Sequence, residues 1–211
     1  MKKLLLMLTL FTITNTSAQF NVNLDRVNLL ATDRNNKDFY FENIAQKFAS
    51  NPNSLDYYQV SVLYYQPINE IGSLEYNYIT TNAYKTFKKL DFKKFIKDYE
   101  VYIKDMPANL TLLFLLSFAI DDGKKNDDRS SLYSKQLKQV IECLIHNKSL
   151  RNKEYLVELN SEIDELILMQ VLGIDENAYK KTATIDGTST IHTYTNGKDE
   201  IAFKVLNKTI Q

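Results

Sequence analysis

Two histidines and one cysteine make up the imidazole and thiol inventory of the 211-residue chain. Cys143 and His146 stand three apart, a spacing that puts both on one face of a helix. A thiol beside an imidazole is a nucleophile beside its base. Such dyads, however, gather their members from separate elements around a cleft and need a third group to orient the base. The pair therefore reads as structural, with His146 at a helix C-terminus where the dipole favours a cation. His192 lies in an alternating segment between Ile191 and Thr193, so it faces the side opposite both and reads as a solvent-facing strand residue. Asp186-Gly187-Thr188-Ser189 lacks the glycines of a phosphate-cradling loop and reads as a turn. Asp121, Asp122, Asn126, Asp127 and Asp128 gather side-chain oxygens in one short stretch. Lys124 and Lys125 interrupt it, Arg129 follows, and no glutamate stands where a calcium loop needs its bidentate ligand. No catalytic residue, metal ligand set or cofactor is expected.

Lys85, Lys88, Lys89, Lys93, Lys94 and Lys97 form a basic stretch interleaved with Phe87, Phe92 and Phe95. It could meet an acidic partner or an anionic headgroup. The phenylalanines match the core faces of two helices and the lysines match the wet faces, so the reading is solvated helix surface. The binding expectation falls on tyrosine, of which the chain has 14 against no tryptophan. Tyr57, Tyr58, Tyr64 and Tyr65 fall as two pairs seven apart, which predicts one member of each pair in the core and the other outside. Exposed tyrosine suits recognition because it combines apolar area with a hydroxyl at low entropic cost.

Composition narrows the classes further. Apolar residues at 44%, with only five glycines and three prolines, exclude a disordered or collagen-like chain. The 26 basic and 26 acidic residues cancel, which argues against a nucleic-acid binder driven by bulk charge. One cysteine excludes an internal disulfide framework.

Residues 1–18 have the order of a secretory signal: Lys2 and Lys3, an apolar run over 4–13, then small polar residues with Thr16 and Ala18 at the −3 and −1 positions of a cleavage site. Removing them leaves 24 basic against 26 acidic residues. No later run is expected to span a membrane, since the most apolar stretch, residues 110–120, is too short.

The elements that must position these residues follow from capping signals and periodicity. Residues 19–37 read as a lead-in arm, and 38–147 as a helical body. Within the body Asp38 is expected to cap a first helix, and Ser54 a second that Pro67 ends. A third covers 74–90, and a fourth is capped by Asp91 and stopped by Pro107. A buried central helix covers 109–122, and an amphipathic one 127–147. Residues 148–211 read as a strand–helix–hairpin annex, one domain with the body. It holds a strand over 153–160, a helix capped by Ser161 over 162–172, and a hairpin of 188–195 with 200–206 across Asn196-Gly197. The fold class is α+β: an N-terminal helical-hairpin, tetratricopeptide-like body followed by a small C-terminal antiparallel sheet with one packed helix.

Asp38-Phe39-Tyr40-Phe41-Glu42-Asn43-Ile44, the Leu55-Asp56-Tyr57-Tyr58 helix with Leu63-Tyr64-Tyr65, and the apolar run over 109–122 occur in an order that resembles an exported family of Bacteroides-type bacteria, domain of unknown function 4919. The strand–helix unit from Tyr155 to Gly173 and the ending around Asn196-Gly197 and Ala202-Phe203-Lys204-Val205 look like its late unit and terminal hairpin. The resemblance covers about residues 38–206. It implies an exported helical protein with a small sheet, and supplies no catalytic residues. The functional expectation is an exported, non-enzymatic module of the periplasm or cell surface whose Tyr-rich groove takes a protein or peptide partner. An envelope hydrolase using facing carboxylates and an immunity-type protein are the alternatives.

Overall fold

The computed structural model describes residues 22–123, 127–146, 149–151 and 154–207; the signal expected over residues 1–18 lies outside the described residues. The fold is α+β, a helical body followed by a small sheet. The expected arm over 19–37 contains a helix, α1 (Leu24–Thr32). Asn23 caps it by accepting from the Arg26 amide, and Val27 and Ala31, four apart, form its buried face. The polar residues scattered around those two hide a short apolar stripe in the sequence.

Two expected caps are displaced. Helix α2 (Phe41–Ser50) starts from Tyr40 without a side-chain cap, and the Asp38 carbonyl instead accepts from Gln59 Nε2 at 2.7 Å. Helix α3 (Tyr57–Phe87) is capped by Asp56 rather than Ser54, in a full capping box with Gln59. Pro67 does not end α3. The chain stays helical through it, and the break comes at Gly72, with φ 76° and ψ 159°, a region open essentially to glycine alone. Proline costs one backbone bond inside a helix, while a residue with these dihedrals interrupts the helix itself.

Asp91 caps α4 (Phe92–Tyr99) as expected, accepting from the Lys94 amide at 3.1 Å, and a 3₁₀ turn, Glu100–Lys104, follows. Asn109 accepts from the Leu112 amide at 2.8 Å and starts α5 (Leu110–Gly123). This helix is buried on nearly every side, as its all-round apolarity requires. Helix α6 (Asp128–His146) packs on α5 and α3.

The annex contains β1 (Ser149–Arg151), β2 (Glu154–Leu159), α7 (Glu162–Val171), β3 (Lys180–Asp186), β4 (Ser189–Thr195) and β5 (Glu200–Val205). The expected antiparallel sheet is corrected here. The order is β1-β2-β5-β4-β3, and β2 runs parallel to β5, with Leu156 opposite Ala202 and Leu159 opposite Val205, while the other pairings are antiparallel. Parallel neighbours need a crossover, and α7 with the β3–β4 hairpin supplies it. Strand β3 was absent from the expected hairpin. Its turn is the Asp186-Gly187 step, with Gly187 at φ 62°. Helix α7 packs against α3 and α5 of the body and against β2 and β5 of the sheet, so it lies at the junction of the two.

Candidate functional site

Helix α7 begins Ser161-Glu162-Ile163-Asp164-Glu165, and Ser161 Oγ accepts from the Asp164 amide at 3.0 Å. Successive helical residues point about 100° apart, so the adjacent acids leave the helix in different directions. Both are fully buried.

Asp164 points into the helical body. Its Oδ2 accepts from the Tyr64 hydroxyl at 2.9 Å and the Tyr76 hydroxyl at 3.2 Å. Its Oδ1 accepts from Thr111 Oγ1 at 2.7 Å and the Thr111 amide at 3.2 Å. Burial lifts the Asp164 carboxyl above the usual carboxylate range although these donors oppose the shift, and it pushes the Tyr64 and Tyr76 hydroxyls well above theirs. Asn160 closes the network: its amide donates to the Tyr64 hydroxyl at 3.1 Å and its Nδ2 to the Tyr64 carbonyl.

Glu165 points to the sheet. Its Oε2 lies 2.6 Å from His192 Nδ1, and its Oε1 accepts from Lys181 Nζ at 3.0 Å and from the Tyr194 hydroxyl. Strand geometry brings these groups together. His192 and Tyr194 are two apart on β4 and share a face, and Lys181 is the β3 partner of Tyr194. Burial and the Glu165 hydrogen bond both push the Tyr194 hydroxyl up.

The expectation that His192 faces solvent is corrected: it is 3% exposed. The alternation holds, since its side is the one opposite Ile191 and Thr193. That side is covered by α7, whose Glu165 carboxylate stands at the His192 ring. A carboxylate on Nδ1 is how an orienting acid holds a general base. On the Nε2 side stands another carboxylate, Glu162, at 3.8 Å, and its side chain is 68% exposed. Among the described residues no serine, threonine or cysteine hydrogen-bonds to His192.

The tyrosine expectation also changes. Tyr64 and Tyr65 are each 1% exposed, so neither faces out, and the Tyr65 hydroxyl donates to the Glu158 carbonyl at 2.9 Å. Tyr57 is half-buried, with its ring 4.6 Å from that of His146, and Tyr58 is 51% exposed. The seven-residue spacing fails because α1, α5, α6 and α7 all pack on α3, and every residue over 62–68 is buried. A stretch of helix enclosed on all sides, as 62–68 is, has no wet face there.

Cys143 is buried, and the His146 ring packs against Tyr57. Cys143 Sγ lies 3.1 Å from Ser61 Oγ and 3.3 Å from the Tyr57 carbonyl. Asp127 is taken up by the Arg129 guanidinium, which also grips both Glu100 oxygens at 2.8 Å, while Asn126 lies outside the described residues. Among the described residues no group of three or more His, Cys, Asp or Glu is arranged to hold a metal ion, and no helix is long and apolar enough to cross a membrane.

The sequence reasoning missed the paired burial of Asp164 and Glu165. A signal was present: Asp164 shares a helical face with Ile167, Leu168 and Val171, which marks an acid placed on an apolar stripe. It also missed β3, whose seven residues form one margin of the sheet and are exposed from Lys180 to Ile185. Among the described residues no strand pairs with β3 on the side away from β4. Compared with known proteins, the chain matches no family model, no curated protein and no solved structure.

Proposed function

We propose that the protein is a non-enzymatic interaction module of the cell envelope, and that it takes up an extended segment of a protein or peptide along β3. The observation that carries the reading is the contrast between two sets of groups. The residues suited to acid–base work are buried and engaged inside the protein, Asp164 by Tyr64, Tyr76 and Thr111 and Glu165 by His192 and Tyr194, whereas β3 presents an open strand margin to solvent. Backbone amides and carbonyls there, unpaired by any strand among the described residues, are donors and acceptors that an added strand can satisfy, and the flanking side chains then select the sequence.

Lys180 stands at one end of β3 and Ile185, 85% exposed, near the other. The complementary segment carries an acidic residue opposite Lys180 and an apolar one opposite Ile185. Envelope placement is supported by the basic, apolar and small-residue order of residues 1–18. Membership of the exported family, domain of unknown function 4919, is part of the same proposal, on the order of pieces over about 38–206.

The test is selection of peptides from a displayed library of extended sequences, followed by affinity measurements on Ala183→Pro and Thr184→Pro. Neighbouring amides point to opposite margins of a strand. One proline therefore removes an outward N–H and the other weakens the β3–β4 ladder. The variant that keeps the wild-type thermal midpoint loses affinity about tenfold or more under this reading. Full retention of affinity by both variants contradicts it.

A further inference from the structure

Leu90, in the turn between α3 and α4, is the one non-glycine residue with positive φ among the described residues, at 61°. A helix that ends in a left-handed residue ordinarily has glycine or asparagine there, because a Cβ is strained in that conformation. Burial does not compensate the strain: Leu90 is 70% exposed. The fold thus holds an apolar side chain out in water on a strained backbone.

Its surroundings are strongly basic. Residues 85–98 contain six lysines and two aspartates. Lys85, Lys88 and Lys89 lie at the end of α3, Lys93, Lys94 and Lys97 lie on α4, and all six are exposed. Asp91 is engaged as the cap of α4. Among the described residues no aspartate or glutamate forms an ion pair with any of the six. The corner is held by rings on its inner side: Phe87 packs on Phe92 and Phe95 at centroid distances of 5.2 and 5.5 Å. The phenylalanines are thereby committed to the helix pair, leaving Leu90 as the exposed apolar group among the ammonium groups.

We propose that this corner docks the protein on an anionic lipid surface, with Leu90 entering the boundary between headgroups and acyl chains and the lysines at the level of the phosphates. Lysine stems reach along an apolar layer while their heads stay at the charged one, and basic residues beside an anionic leaflet each add to binding. A lysine patch alone suits any polyanion. The apolar side chain held at its centre distinguishes a bilayer, which offers an apolar layer directly behind a sheet of negative charge. The attachment is peripheral and salt-sensitive, since it combines one apolar side chain with screened charges.

The experiment is co-sedimentation of the full chain with vesicles of phosphatidylcholine alone and of phosphatidylcholine mixed with phosphatidylglycerol, at low and high salt. All variants share the rest of the chain, so differences between them report on the corner. The wild type sediments more strongly with the anionic vesicles, and salt removes the difference. Lys89→Glu combined with Lys93→Glu weakens that binding by about twentyfold or more, at about fivefold for each lysine. Leu90→Gly weakens it while raising the thermal midpoint, because glycine relieves the positive φ, so the loss is not one of folding. The chain has no tryptophan, so Leu90→Trp is a single reporter whose emission moves to the blue on anionic vesicles. Equal sedimentation on both vesicle types overturns the proposal. So does a Leu90→Gly variant that binds anionic vesicles as tightly as the wild type while the charge-reversed variant does not, a result that assigns the corner to a soluble polyanion.

Discussion

Glu165 Oε2 stands 2.6 Å from His192 Nδ1, and this contact joins α7 to β4 inside the protein. Glu165 is fully buried and also accepts from Lys181 and Tyr194. Removing a buried carboxylate strands its partners, whereas removing an exposed one costs little. Glu165→Ala is expected to lower stability by about 3–5 kcal/mol. Lys181→Ala, whose side chain is 40% exposed and which leaves His192 and Tyr194 on the buried carboxylate, should cost less, about 1–3 kcal/mol. Urea unfolding of both variants measures the difference, and equal small losses would show that the Glu165 cluster does not hold α7 to the sheet.

On the other side of α7, the Tyr64 hydroxyl both donates to Asp164 and accepts from the Asn160 amide. Tyr64→Phe leaves that amide without its acceptor in the core and should cost about 1–3 kcal/mol. Tyr78→Phe, at a ring 67% exposed, should stay within about 0.5 kcal/mol of wild type. Chemical denaturation separates the two, and the opposite ranking would return Tyr64 to the surface role its spacing suggests.

The pH dependence follows from Asp164. Burial raises its carboxyl in the folded state above the unfolded value of about 4. Between those values the folded protein binds more protons than the unfolded chain. The stability from this group is therefore full below about pH 4 and is lost as pH rises through the folded value. Asp164→Asn does not titrate. Its stability relative to wild type should improve as pH is raised from about 4 towards neutrality. Urea midpoints over a pH series report the trend, and a movement the other way would mean that the hydroxyls and the Thr111 amide keep the carboxylate ionised.

Gly72 breaks α3 in a conformation that a Cβ does not tolerate. Gly72→Ala should destabilise by about 1–3 kcal/mol, read from the thermal midpoint. A neutral effect would mean that α3 straightens through this point at no cost.

Long periodic segments were legible in the sequence. Helix α5 followed from its apolarity, α4 from its Asp91 cap, and the β4–β5 hairpin from Asn196-Gly197, where Gly197 has φ 84°. Enclosure was not legible. The faces of α3 and β4 alternate as their periods require, but which face meets water depends on α7, a helix distant in sequence from α3 and arriving from outside the sheet. The same cause hid the Asp164 and Glu165 networks, whose partners lie as far as 100 residues away. Strand β3 was missed because a margin strand exposed along its length has no apolar alternation to report.

The reading of β3 as the partner-binding margin is tested most directly by amide hydrogen exchange, with and without a peptide selected from the displayed library. Exchange should slow along β3, from Lys180 to Asp186, while β2 and α7 keep their rates. Slowing confined to other segments, with β3 exchanging as fast as in the unbound protein, would contradict the account.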